Sequence, residues 1–199
     1  MVLERHPFFD ALLDLDRAFK DADNLLKIHL EEKARGRRWA RTSLNRAMVV
    51  LAVAAWQAFC ERLATQGVQA LKPSDAGLMP EWRLLGARMN NAIYRFATPN
   101  AENTQALLIG LGYDPWPDWN LTIDGEAISQ ERTQRTLNEW LKVRHAIAHG
   151  AGVLPDVQVL RKPDGSLRLW RVDAEACMAF IKQLAEATYN GVHTWFKAL

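Results

Sequence analysis

The chain is 199 residues long, 49 % apolar and 24 % charged, with a formal net charge of +2. That size and balance suit a single domain, taken as 1–199, and exclude disorder over the whole chain. A charge so near zero does not by itself argue for a nucleic-acid partner. Yet 17 of the 25 basic residues are arginine, whose planar fork suits phosphate or carboxylate; a plain compositional bias toward arginine explains that equally well.

In chain order, residues 8–34 place Phe8, Leu12, Leu15, Phe19, Leu26 and Leu30 at helical spacings with charges between them. This predicts a long amphipathic helix. The run Arg35-Gly36-Arg37-Arg38-Trp39-Ala40-Arg41 interrupts it. Thr42 or Ser43 is then expected to cap a second helix to about Gln66, with Gly67 as its stop. From Met48 to Trp56 that helix is apolar all round, so it belongs at the centre of a bundle, and the run is too short to span a bilayer.

Pro73, Gly77 and Pro80 punctuate a looser stretch before a helix predicted over Glu81 to Phe96. Asn100 suits the cap of a short helix to Leu111, ended by Gly112. Asp114 to Trp119 holds two prolines and reads as an irregular loop. Ser129 is the expected cap of a helix carrying Leu137, Trp140, Leu141, Arg144 and Ile147 to Gly150. Around Pro163-Asp164-Gly165, the alternating runs Val157–Leu160 and Leu167–Trp170 predict a β-hairpin near residues 157–171. Asp173 is the expected cap of a last helix through Phe180, Leu184, Ala187, Val192 and Trp195. The expected fold class is all-α, a four- to five-helix bundle with one small hairpin insertion.

Cys60 and Cys177 sit in apolar helical patterns and read as small buried hydrophobes. No metal-ligand spacing of Cys, His and acidic residues is visible, and neither metal nor cofactor is expected. The first residues lack a signal peptide's apolar stretch, which makes a cytoplasmic location the default.

The candidate site lies in Arg144-His145-Ala146-Ile147-Ala148-His149-Gly150. On a helix, Arg144 falls in the middle of the apolar stripe formed by Leu137, Trp140, Leu141, Ile147 and Ala148. A guanidinium there needs a partner or water, because burying an unsatisfied charge is costly. Either an acid from another helix pairs with it, or it lines a wet cleft or subunit seam. His145 and His149 share one flank, and His149 stands at the negative end of the helix. Such a set suits cleavage of an RNA phosphodiester without metal. A histidine moves the proton of the 2′-hydroxyl or of the leaving oxygen, and an arginine meets the charge on phosphorus-bound oxygens. The same spacing also fits a buried ion pair with a capping histidine.

The heptad resembles the motif of HEPN domains, and most closely that of the RiboL-PSP-HEPN branch. The segment Leu44 to Leu63, with Ala55-Trp56-Gln57-Ala58-Phe59, is similar to that branch's central helix. Phe96 to Asn100, Leu108 to Gly112 and Trp119 are similar to its middle segment, so the likeness spans about residues 8–199 in order. The resemblance implies a helical bundle that pairs through the motif helix into a homodimer with one composite, metal-independent endoribonuclease site. It implies that Arg144 orients the scissile phosphate, that His149 is the general acid or base, and that His145 assists. It also implies RNA as partner, with an antitoxin or other regulatory protein besides, in defence, toxin–antitoxin or RNA-stress biology. Relatives partnered by nucleotidyltransferases often carry a Tyr two residues after the last His; Ala151 stands there, which speaks against regulation through such a residue. The alternative of another class is a non-catalytic HEPN module binding RNA or a protein.

Elsewhere, Arg37, Arg38 and Arg41 with Arg35 around Trp39 suit RNA backbone and a stacked base, or a solvated loop with Trp39 tucked inward. His29 reads as a core or edge histidine, while His6 and His193 carry no partner signal. Most of the eight tryptophans are expected to pack the bundle, and Trp140 is placed at the dimer seam.

Overall fold

A helix whose apolar residues run most of the way round needs several neighbours to cover it, and the computed structural model is organised around one. It describes residues 8–31, 38–123 and 125–199. In chain order these form α1 (Phe9–Glu31), α2 (Arg38–Ala70), α3 (Met79–Tyr94), α4 (Ala101–Ile109), β1 (Leu121–Ile123), β2 (Glu126–Ile128), α5 (Gln130–Ala148) and α6 (Arg171–Lys197). Single 3₁₀ turns lie at Ala76–Leu78, Trp116–Asp118 and Gln158–Leu160. The architecture is an all-α bundle with one two-stranded antiparallel hairpin, six helices among the described residues.

The central element is α2. It buries Met48, Val49, Ala52, Val53, Ala55, Trp56, Phe59, Cys60, Leu63, Ala64 and Val68, a broad face that leaves Ala54, Ala58 and Arg62 as an exposed stripe, so the run from Met48 to Trp56 is not covered on every side. Packed on it, α1 contributes Ala11, Leu15, Phe19 and Ala22, with Phe8 buried just before it, while α5 and α6 close other sides. By length and composition α2 could cross a membrane, but 56 % of its most apolar window is buried inside the bundle. Both cysteines are buried and unpaired, as expected of small hydrophobes, and burial pushes their thiol pKa values well up.

Indole groups tie the layers together. Trp56 Nε1 donates to Pro99 O at 3.0 Å, and Trp119 Nε1 donates to Thr188 Oγ1 at 2.9 Å. Three caps lie close to their expected places. Asn100 Oδ1 accepts from Asn103 N at 2.7 Å, and Ser129 Oγ accepts from Arg132 N at 3.4 Å. Asp173 acts from the third residue of α6 instead of preceding it, its carboxylate accepting from Trp170 N at 2.7 Å.

Two boundaries of α2 differ from expectation. The helix begins at Arg38, so Thr42 and Ser43 lie inside it, and it runs through Gly67 to Ala70. Gly67 serves close packing, not termination: a Cβ there would lie 2.6 Å from Leu111 Cδ1.

The hairpin is displaced as well. It pairs Leu121 with Ile128, Thr122 with Ala127 and Ile123 with Glu126. The 157–171 segment instead makes a 3₁₀ turn and one isolated bridge, Arg161 to Leu167, around a turn with Gly165 at φ +76°. Side chains of the bundle take the backbone groups that a partner strand would need. Val159 N donates to Glu139 Oε2 at 3.0 Å, and Leu169 O accepts from Asn45 Nδ2 at 3.1 Å. Val157, Leu160 and Leu169 drop into the core. Lys162 pairs with Asp173 in a largely buried bridge that fixes this segment to the start of α6.

The tightest approach is at Gly191 of α6. A Cβ there would lie 2.0 Å from Tyr113 Oη and 2.3 Å from Asp118 Oδ2, which share a 2.7 Å hydrogen bond. Burial and that bond hold the phenol's pKa well above its usual value. Gly191→Ala is therefore expected to lose about 1–3 kcal/mol through overpacking. Gly67→Ala, which displaces only the flexible end of Leu111 and gains helix propensity of about 1 kcal/mol, should be near neutral. Urea unfolding of the two variants checks the contrast.

Candidate functional site

The C-terminal half of α5 presses one face inward through Leu137, Trp140, Leu141 and Val143. The next residues on that face, Arg144 and Ile147, are only half-buried because the cover from neighbouring elements runs out. Trp140 is 2 % exposed in the single chain. It packs the bundle's own core, so its placement at a dimer seam is corrected. Its indole lies against the 157–160 turn and α6, which come back across that part of α5.

Backbone geometry fixes where the helix stops. Gly150 has φ +69°, a left-handed conformation that favours glycine. Gly150 N then donates to Ile147 O at 3.1 Å and Ala151 N to Ala146 O at 2.9 Å. These two bonds satisfy the last carbonyls in the manner of a Schellman ending. His149 is the cap residue, its N–H donating to His145 O at 3.0 Å. The exposed rings of His145 and His149 lie 4.2 Å apart between centroids, tilted by 53°.

Arg144 resolves one of the alternatives left by the sequence within the single chain. Its Nε is buried without a hydrogen-bond partner, and among the described residues no acid pairs with it. It faces a cleft of about 440 Å³ between α2, the 98–100 segment and α5. Val53, Pro99, Asn138, Leu141 and His145 share the lining, with no carboxylate among them. The far wall is rigid: Asn138 Oδ1 accepts from Ala101 N at 2.9 Å while its Nδ2 donates to Glu102 Oε1 at 3.1 Å. Asn138 was not singled out in the sequence. Its place on α5, seven residues before His145 and on the same face, is the signal that could have found it.

Arg144 and His145 thus line one cleft, while His149 is not in its described lining and lies tilted against His145 at the end of α5. Arg41 stands elsewhere, on a second cleft with Arg46 and Arg168. Arg38 is the first residue of α2, and Arg37 lies outside the described residues. Among the described residues no three His, Cys, Asp or Glu side chains converge as a metal would require.

A family model described as RiboL-PSP-HEPN matches residues 13–192. No curated protein and no solved structure matches the chain.

A charge held without a counter-ion does not stabilise the fold, so Arg144→Met should leave stability unchanged or raise it. Truncating a guanidinium from a buried pair would instead cost about 3–5 kcal/mol. Thermal unfolding separates the two outcomes. A loss that grows with protein concentration would place the missing counter-ion on a second copy.

Proposed function

The chain belongs to the RiboL-PSP-HEPN family, and on that footing we propose that it is a metal-independent endoribonuclease acting through Arg144, His149 and His145. The observation that carries this reading is Arg144, whose partly desolvated guanidinium, without an acid among the described residues, borders an open cleft beside two histidines. Such a group has attraction to spare for an anion, and a phosphodiester supplies one.

In the proposed reaction the RNA's own 2′-oxygen attacks phosphorus while a histidine takes its proton. The bond from phosphorus to the 5′-oxygen breaks, and a second histidine returns a proton to the leaving oxygen. The products are a 2′,3′-cyclic phosphate and a 5′-hydroxyl. Arg144 meets the charge that builds on the non-bridging oxygens. Every step is proton transfer or charge stabilisation, so the scheme calls for no metal.

Attack and departure lie roughly in line across phosphorus. His145 and His149 share one flank of one helix, so a single copy does not readily supply base and acid on opposite sides. Two copies facing each other through α5 do, with His149 of each in the principal role and His145 steadying it. That argument supports a homodimer with a composite site. Defence or toxin-type RNA cleavage, held in check by a regulatory protein, is the matching biological setting.

The test is cleavage of end-labelled single-stranded RNA in EDTA. Wild type should yield cyclic-phosphate ends, while Arg144→Ala and His149→Ala should each slow cleavage at least about 100-fold. Intact RNA with wild type, or cleavage by both variants at the wild-type rate, overturns the catalytic reading and leaves a binding module. Activity restored only by added Mg²⁺ overturns its metal independence.

A further inference from the structure

The second cleft, about 520 Å³, lies between the first turns of α2, the 152–154 segment that follows the motif helix, and residues 167–170 leading into α6. Among its described lining residues are three arginines, Arg41, Arg46 and Arg168, with Trp170 at the rim, and no carboxylate. We infer that this cleft is a binding site for single-stranded RNA, with the arginines on successive phosphates and the Trp170 indole stacking a base. This deepens the RNA-cleavage proposal by giving the strand a path beyond the cleaved bond, and it rests on that proposal only for the choice of substrate.

Four observations converge on it. Arg46 is half-buried, and its Nε lacks a hydrogen-bond partner, so a second guanidinium besides Arg144 has attraction unspent. Trp170 keeps 47 % of its surface exposed, yet its ring is not loose. Lys162 Nζ stands 4.8 Å from the ring centroid and is itself tied to Asp173, which leaves a braced aromatic face open to the cleft.

The neighbouring acids are already engaged. Asp173 takes Lys162 and Trp170 N, Glu175 pairs with Arg171, and Asp164 Oδ1 accepts from Ser166 N at 2.9 Å, its charge within electrostatic reach of Arg168 but not ion-paired with it among the described residues. Finally, Gly152 on the cleft wall is two residues beyond Gly150, where the motif helix ends. A strand cleaved near His149 therefore has only a short distance to run before meeting the arginines. Arginines that track a backbone beside an aromatic platform are how proteins hold single strands without reading sequence. An acidic peptide would use the cations and leave the indole idle.

Binding of an unstructured, fluorescently labelled RNA of about ten nucleotides to the full chain decides it, in a His149→Ala background that keeps the probe whole. Trp170→Ala should weaken binding about tenfold, and Trp170→Phe should retain most of the affinity. Arg46→Gln and Arg168→Gln should each reduce the slope of log affinity against log salt by about 0.7, whereas the Trp170 variants should not. Circular dichroism checks that each variant is folded, and Arg168 and Trp170 are exposed enough to be replaced safely.

Unchanged affinity in all the cleft variants overturns the inference, as does a parent chain that binds no RNA. Equal binding of a duplex with no dependence on Trp170 also overturns it. Displacement of the RNA by an equal charge of polyglutamate would point to an acidic protein partner and overturn it too. The two proposals fail separately. A chain that cuts RNA with these substitutions silent keeps the cleavage reading and loses the cleft. A chain that never cuts, but loses affinity on Trp170→Ala, keeps the cleft and loses the cleavage.

Discussion

The rest of the molecule follows from the need to cover α2. Its buried residues cover more than half of its circumference, leaving a stripe through Ala54, Ala58 and Arg62 in solvent, and each large side chain left bare would forfeit about 1.5–3 kcal/mol of burial. Several elements are therefore drawn around it. α1 lies along one side, α6 along another, and α5 closes a third. Trp56 reaches from α2 to the Pro99 carbonyl and so fixes where α4 begins. The position of α5, and with it the motif, is a consequence of that coverage.

Coverage is also what exposes the site. The inward face of α5 is sealed at Leu137 and Trp140, which are 0 % and 2 % exposed. It opens at Arg144, where Val53 of α2 and Pro99 form a wall without closing over the guanidinium. The helix could have continued its apolar stripe with another leucine and gained stability. Instead a charge sits there with its Nε desolvated and unbonded, a condition that costs free energy. Residues that cost stability are kept for a different return, and under the proposed function that return is attraction for an anion. The turn at Gly150 then holds His149 as the cap of the same helix.

Much of this was legible in the sequence, for reasons that can be named. Helices with a strong 3.6-residue pattern and local caps, such as those opened by Asn100 and Ser129, depend on neighbours in the chain. The errors came where distant groups decide. Val157–Leu160 and Leu167–Trp170 alternate like strands, but Glu139 and Asn45 claim the backbone from other helices. The true hairpin has only three residues a side, too few for alternation to stand out. Its one strong signal is the dipeptide Asp124-Gly125. Gly67 and Gly191 look alike in sequence, and only the structure shows that the first faces a leucine end and the second a hydrogen-bonded pair. At the site, Arg144 was visible because a charge interrupts an apolar stripe. Arg46 sits near the polar start of α2 and broke no pattern, while Arg168 and Trp170 were absorbed into the supposed hairpin.

Net charge proved the least informative number. A chain at +2 has no reason to bind polyanions if its charges are evenly mixed. They are not evenly mixed around the end of α5. One cleft holds Arg144 and Lys142, the other holds Arg41, Arg46 and Arg168, and among the described residues no carboxylate lines either. Many carboxylates are spent elsewhere, Glu139 on a backbone amide, Asp173 on Lys162, Asp118 on Tyr113 and Asp156 on Arg161. Low-dielectric walls concentrate the field of the cations left inside such clefts, so attraction for a polyanion is set by where the charges stand more than by their sum. The near-neutral total and the two basic clefts are then compatible. Several of the acids that balance the count are engaged in holding the fold, while Arg144, Arg46 and Arg168 line the two clefts near the motif.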